Sequence, residues 1–336
     1  MTLPVALVGL GGVAQTYVAA VLAGNTGINV RAVIEPDDVR RRSAADALDA
    51  VGFDSLDAFL ADPAMSETPA VAVCTPPSSH EELVITAVRA GKHVLCEKPL
   101  ALNSPSLHRM FEAADANDRL LMMASKFRYV NDVVATREMI LAGDLGETVL
   151  FRNAFTSRVN MGSRWNGRLD LAGGGVIMDN GTHSVDIARF LAGKIVTVTA
   201  ITTLPIQSLE VEDSAQMLFR TQTGVCGSID LSWSLASGSE WYVTIDGSKA
   251  SVRLGWHTAE INRGTGWTSF GSGYHKITAF SNNLSDFANA VVHGTTPRIN
   301  RADIHASVAV IDAAYRSVRS KAWANVDERR EMAPLA

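Results

Sequence analysis

Short apolar runs alternate with longer stretches that have one apolar face through the first third of the chain. That rhythm predicts a parallel sheet with helices on both sides. The apolar runs are residues 4–8, 28–34, 69–74, 93–96 and 120–124, each of a length suited to one buried strand. Between them the pattern predicts helices over 13–22, 37–50, 80–90 and 105–117. Asp37 and Asp38 suit the first turn of the second helix, Ser78 or Ser79 suits the cap of the third, and Gly91 suits its end.

The rhythm changes after Lys126. A helix over 133–141 stops at Gly143, and strands then dominate: 149–157, 196–204, 215–220, 225–232 and 241–245. Thr223-Gly224 and Asp246-Gly247-Ser248 are turn signals that join such strands as antiparallel hairpins. Two helices, near 284–292 and 304–319, close the chain. The fold class is therefore α/β: residues 1–125 form a doubly wound parallel domain, and residues 126–336 an α+β domain on a largely antiparallel sheet.

Composition narrows this picture. A chain of 336 residues with 47% hydrophobic and 19% charged residues has enough apolar mass for two cored domains. The net charge of -5 offers no basic face for nucleic acid. No apolar run approaches the roughly 20 residues a membrane helix needs, and the apolar start lacks a basic leader. The three cysteines, Cys74, Cys96 and Cys226, have no metal-ligand spacing and read as free thiols of a cytoplasmic protein. No metal site is expected.

The chemistry begins at Gly9-Leu10-Gly11-Gly12-Val13-Ala14, a G-x-G-x-x-A turn between the first strand and the first helix. Gly9 permits the tight turn, Gly11 lets a pyrophosphate approach the backbone, and Ala14 lets helix and strand pack closely. The phosphates would meet unpaired N–H groups at the helix N-terminus. Glu35 ends the second strand, where a carboxylate accepts hydrogen bonds from the adenosine ribose and repels a 2′-phosphate. This favours NAD, although Arg40, Arg41 and Arg42 keep NADP possible.

Two further constellations carry candidate catalysis. Glu97-Lys98-Pro99 follows a strand at the carboxyl edge of the sheet, where a lysine can polarise a substrate oxygen. In Gly173 through Asp186, a helix over 174–191 puts Asp179 and His183 on one face, so the carboxylate can orient the imidazole and stabilise its protonated form. Gly181 inside that helix costs about 1 kcal/mol relative to alanine, which suggests close approach of a ligand.

Taken together, the glycine turn, Cys74-Thr75-Pro76-Pro77, Ala90 through Pro99, and Gly173 through Asp186 resemble the glucose–fructose oxidoreductase / inositol dehydrogenase (Gfo/Idh/MocA) family. The resemblance spans most of the chain. It implies an N-terminal Rossmann domain and a C-terminal domain whose large open sheet forms a homo-oligomer interface, dimer or tetramer. It also implies hydride transfer between a nicotinamide and a ring carbinol or ketone of a sugar, sugar derivative or cyclitol. Lys98, Asp179 and His183 match the family's catalytic positions, and either His183 or Lys98 can be the proximal base. Gly9, Gly11, Gly12, Val13, Glu35, Thr75, Pro76, His80, Glu97 and Lys98 are the cofactor-binding expectation. Pro77 stands where the family often carries Asn.

For substrate, Arg158, Arg164 and Trp165 lie just before the catalytic helix and join Arg128, Lys98, Asp179 and His183 as candidates. Arginines can bind a phosphate bidentately, and Trp165 can pack on a sugar face. Two alternatives follow: an NADPH-dependent nucleotide-sugar ketoreductase, and a non-catalytic NAD(P)-sensing protein.

Overall fold

The computed structural model describes residues 2–326 of the chain. They pack as two compact units, one comprising the chain up to Lys126 together with Lys276–Ile304, the other Phe127–His275 together with the chain from His305.

The first unit runs β1 (Leu3–Val8), α1 (Ala14–Leu22), β2 (Ile28–Ile34), α2 (Asp38–Leu48), β3 (Val51–Phe53), α3 (Leu56–Ala61), β4 (Ala70–Val73), α4 (His80–Arg89), β5 (His93–Glu97), α5 (Ser104–Ala116) and β6 (Leu121–Ala124). All pairings are parallel, in the order β3-β2-β1-β4-β5-β6. The order reverses between β1 and β4, the crevice where such sheets bind dinucleotides. Every residue of β4 is buried, as a strand covered on both faces requires.

Local signals set most of the boundaries. Asp37 caps α2 by accepting the Arg40 N–H, and Asn103 caps α5 by accepting the Ser106 N–H. Ser79 precedes α4 but does not cap it, because its hydroxyl donates back into the preceding loop, at Thr75 Oγ1 and the Pro76 carbonyl. The short pair β3 and α3 escapes the sequence pattern. The helix Lys276–His293 is longer than expected and packs in the first unit, where the Phe280 ring meets Tyr17 of α1 edge-on at 5.2 Å. A single cut at residue 125 does not include that return.

The second unit contains α6 (Asn131–Leu141), β7 (Thr148–Thr156), α7 (Leu169–Ala172), α8 (Val176–Ala192), β8 (Ile195–Thr202), β9 (Ser214–Thr221), β10 (Cys226–Ser232), β11 (Trp241–Gly247), β12 (Ser251–Gly255), β13 (Ala259–Asn262), β14 (Trp267–Gly271) and β15 (Ala324–Asn325). Its strands lie in the order β14-β13-β12-β11-β7-β10-β9-β8-β15. Only β7 and β10 pair in parallel. The alternation in β9 is strict, with Ala215, Met217, Phe219 and Thr221 buried and Gln216, Leu218 and Arg220 turned outward. α8 packs on β7, β9 and β10. The outward residues include exposed Leu150, Ile201 and Leu218 beside the pairs Arg152–Asp246 and Gln216–Asp230.

All three cysteines are free, with Cys74 and Cys96 buried and Cys226 exposed. Among the described residues no helix is long and apolar enough to cross a membrane.

Candidate functional site

In the first unit the candidate residues gather at the carboxyl ends of the strands. Gly9 has a φ of +82°, and a side chain there would strike Thr75 Cγ2 at 2.6 Å, so only glycine fits the turn. A Cβ at Gly11 or Gly12 would meet no protein atom within 4 Å. These two positions therefore leave the backbone approachable, as a pyrophosphate needs. Val13 precedes α1, whose first turn has neither a side-chain cap nor an acidic residue, so its N–H groups suit an anion.

Glu35 anchors this turn. Its Oε2 accepts the Leu10 N–H at 2.8 Å, and its Oε1 meets Arg40 at 3.0 Å and the Asp37 N–H at 3.2 Å. Arg41 donates to the Glu35 carbonyl and pairs with Asp38, and Arg42 also pairs with Asp38. The three arginines are thus paired with Glu35, Asp37 and Asp38. The residues present fit a dinucleotide.

Thr75 and Pro76 lie half-buried after β4, and Lys98 lies half-buried after β5, joined to Pro99 by a cis peptide. His80 is turned into the protein. Its ring is fully buried, with Nδ1 2.9 Å from the Pro99 carbonyl and Nε2 3.0 Å from the Thr75 carbonyl. Burial pushes its pKa below the usual imidazole range, against the pull of those carbonyls. His80 is a strut between the Thr75 loop and the Lys98 loop.

Glu97 also turns inward. Tyr17 donates to its Oε1 at 2.9 Å and the Lys98 N–H to its Oε2 at 3.1 Å. Burial raises its pKa, partly countered by the charges of Lys98 and Lys126 and by the Tyr17 hydrogen bond. The same burial, with the Glu97 charge, holds the Cys74 and Cys96 thiols and the Tyr17 phenol protonated. Glu97 therefore ties α1 to the Lys98 loop, a role its place beside Lys98 did not reveal.

The second unit carries the other candidates. Asp179 and His183 stand one turn apart on α8. Asp179 Oδ2 accepts from Asn166 Nδ2 at 3.3 Å, and the Asn166 turn also holds Trp165. His183 is buried, with the Phe127 ring edge-on at 5.1 Å and Phe155 at 6.5 Å. Those rings limit the imidazole's swing.

Gly181 has a packing role and not the ligand role its position suggested. A Cβ there would lie 3.3 Å from Leu231 Cδ1 and 3.5 Å from Ile311 Cδ1. The small residue lets α8 approach β10 and the helix Arg301–Ser320.

Arg128 is another correction. Its side chain is 3% exposed and pairs at 2.8 Å with the wholly buried Asp186, with the guanidinium over Phe190. Neutralising Asp186 inside the protein occupies this arginine. Arg158 and Arg164 are exposed and have no ion pair among the described residues, whereas Arg168 pairs with Asp170.

The sequence reading missed the segment Ile206 to Asp213. Gln207 Nε2 donates to the carbonyls of Val159 and Trp233, and its Oε1 accepts the Met161 N–H. Glu210 accepts the Leu169 N–H. Asp213 accepts the N–H groups of Ile206 and Gln207, which with its other hydrogen bonds hold its carboxyl below the usual range despite the cost of burial. This segment fixes the arginine-bearing loop from a distance in sequence that no local pattern spans. Among the described residues no group of three or more His, Cys, Asp or Glu side chains could hold a metal.

A dinucleotide-binding sheet joined to a unit bearing a carboxylate–imidazole pair defines the class of two-domain nicotinamide-dependent oxidoreductases. Comparison with known proteins agrees. Residues 3–125 match the oxidoreductase family with an NAD-binding Rossmann fold, and residues 133–253 match the GFO/IDH/MocA C-terminal domain. The chain belongs to the GFO/IDH/MocA family and is an NAD(P)-dependent oxidoreductase.

Inositol 2-dehydrogenase of Rhizobium meliloti is 27% identical over 96% of this chain and 98% of its own length. Levoglucosan dehydrogenase of Pseudarthrobacter phenanthrenivorans is 25% identical over 77% of this chain and 80% of its own length. Among solved structures, GenD2 from gentamicin A biosynthesis in complex with NAD superposes with a TM-score of 0.85 at 26% identity, covering 97% of both chains. Levoglucosan dehydrogenase in complex with NADH and levoglucosan shares the fold, with a TM-score of 0.89 at 21% identity over 97% of this chain and all of that one.

Proposed function

We propose that the chain is an NAD-dependent dehydrogenase of a ring hydroxyl in a sugar, sugar derivative or cyclitol, with Lys98, Asp179 and His183 as its catalytic residues. The observation that carries this reading is the Asp179–His183 pair on successive turns of α8, inside the region matched to the family's C-terminal domain. The relatives named inositol 2-dehydrogenase, levoglucosan dehydrogenase and D-apiose dehydrogenase support the substrate class.

The nicotinamide, when bound, supplies the hydride acceptor. His183 takes the hydroxyl proton as hydride leaves the carbinol carbon, and Asp179 stabilises the imidazolium that forms. Lys98 donates to the reacting oxygen and holds its developing charge. Phe127 and Phe155 keep the His183 ring oriented. Gly11, Gly12, Val13 and Glu35 bind the dinucleotide, and Glu35 selects NAD over NADP.

The test is nicotinamide absorbance change with free cyclitols and aldoses, sugar phosphates and nucleotide sugars, using both cofactors in both directions. Lys98→Met and His183→Ala should each lower kcat by about 10²–10⁴-fold while cofactor affinity stays within about threefold. Near-normal rates in both variants overturn the assignment. Exposed Arg158 and Arg164 favour a second reading, a nucleotide-sugar ketoreductase, and turnover of the nucleotide sugars with NADPH would select it.

The exposed Leu150, Ile201 and Leu218 on the outward face of the nine-stranded sheet support a homo-oligomer formed through that face. Light scattering that gives a monomer mass overturns this. The three free thiols support a reducing, cytoplasmic location, checked by cell fractionation.

A further inference from the structure

The helix α8 begins without a cap of its own. Gly175 occupies the cap position and has no side chain, leaving the first N–H groups of the helix to find partners elsewhere. One distant residue supplies three of them. Glu212 Oε2 accepts the Gly175 N–H at 3.1 Å, its Oε1 accepts the Ile177 N–H at 3.1 Å, and its backbone carbonyl accepts the Val176 N–H at 2.9 Å. Tyr315 holds the carboxylate in place by donating to Oε1 at 2.8 Å. Burial and the Glu212 charge raise the Tyr315 pKa, so the phenol remains a donor.

This arrangement explains the adjacent glycines. A Cβ at Gly174 would lie 2.0 Å from Tyr315 Oη, and one at Gly175 would lie 1.9 Å from the Glu212 carbonyl oxygen. Both positions must be glycine for tyrosine and glutamate to reach the helix end. The first ordinary helical bond, from Asp179 N–H to the Gly175 carbonyl, starts within this clamp. Asp179 therefore sits one turn from Glu212 and His183 two turns, both in a register that the cap determines.

We propose that Glu212 is a positioning residue for the reaction: its carboxylate and carbonyl cap α8 and thereby set where Asp179 and His183 meet the substrate. Neighbouring Glu210 and Gln207 fasten the loop that carries Asn166, whose amide donates to Asp179. One segment thus fixes the Asp179 carboxylate both through its helix and through its hydrogen-bond partner. The inference rests on the proposed roles of Asp179 and His183.

The test uses the full chain with Glu212→Ala, Glu212→Gln and Tyr315→Phe. Hydrogen–deuterium exchange over residues 173–183 needs no substrate. Glu212→Ala should speed exchange of the Gly175 and Ile177 amides, which lose their carboxylate acceptor, by about tenfold or more. It should lower kcat by about 10–100-fold, with substrate KM and cofactor affinity within about threefold. Glu212→Gln, which keeps one acceptor oxygen, should recover most of that loss. If Glu212→Ala does not fold, Tyr315→Phe carries the test, with a smaller kcat loss and the same unchanged cofactor affinity.

Unchanged exchange overturns the cap. Faster exchange with unchanged kcat overturns the positioning role, and so does an equal loss in kcat, KM and cofactor affinity without rescue by glutamine. An unmodified chain that turns over nothing in the panel, while the exchange difference persists, overturns the proposed activity and leaves the cap standing.

Discussion

Replacing Gly175 with alanine perturbs the start of α8 without touching any candidate catalytic side chain. The new methyl would lie 1.9 Å from the Glu212 carbonyl oxygen and 2.8 Å from its carbonyl carbon and amide nitrogen. A comfortable carbon–oxygen contact is about 3.3 Å, so the two backbones must separate by roughly 1.4 Å. That movement breaks the Val176 hydrogen bond to Glu212 and stretches the two bonds to its carboxylate. Overpacking of this kind costs about 1–3 kcal/mol, and losing a helix cap about 0.5–2 kcal/mol more. The sum, about 2–5 kcal/mol, is a large fraction of the roughly 5–15 kcal/mol that holds a domain folded.

The assay is unusually clean. All six tryptophans lie in the second unit, so urea melts followed by tryptophan fluorescence report on that unit. Gly175→Ala should lower its midpoint by the amount that the 2–5 kcal/mol loss implies at an unchanged slope, a thermal shift of about 5–15 °C. Gly12→Ala is the control: its Cβ meets nothing within 4 Å and lies in the first unit, so the fluorescence transition should not move. A Gly175→Ala midpoint within about 0.5 kcal/mol of the parent would refute the steric reasoning and, with it, the account of the paired glycines.

Two further predictions concern the first unit. Glu97 has a pKa raised by burial, so the unfolded chain loses that proton first and the native state is progressively penalised as pH rises above about 4.3. Glu97→Gln removes the penalty: calorimetry of the cofactor-free protein should show the variant gaining on the parent from about pH 4 toward neutrality, and a pH-independent difference refutes the assignment. Glu35→Ser removes both the carboxylate and the anchor on Leu10, and steady-state kinetics should show the preference for NAD over NADP falling by about 10–100-fold. An unchanged preference places cofactor selection elsewhere.

The parallel sheet was legible because its strands are long apolar runs bounded by turn residues, and β2 spans the expected residues 28–34. β3 and α3 were not, since three and six residues lie below the length at which periodicity is readable. The strands β12 to β14 are only four or five residues long, so the alternation in β12 and β13 spans too few positions to read. At the site, sequence proximity found the loops but carried no sign of which way individual side chains turn. His80 and Glu97 stand beside cofactor-loop residues and face inward, and Arg128 neutralises an aspartate that lies far along the chain. Glu212 carried no local signal, because its partners sit at the start of another element and are backbone N–H groups, which every residue but proline possesses.

The return of Lys276–Ile304 to the first unit bears on how the protein is made. Translation completes the parallel sheet at Ala124, yet the helix that buries Ala279, Phe280, Leu284 and Phe287 emerges from the ribosome only after nearly all the second unit's strands. Until then Tyr17 lacks the aromatic neighbour that covers it, and the nascent nucleotide-binding half waits with an apolar flank uncovered. Ending a recombinant fragment after Lys126 would make that transient condition permanent. A self-sufficient cofactor-binding fragment requires the late segment to be spliced onto the early one, through a linker that replaces everything between them.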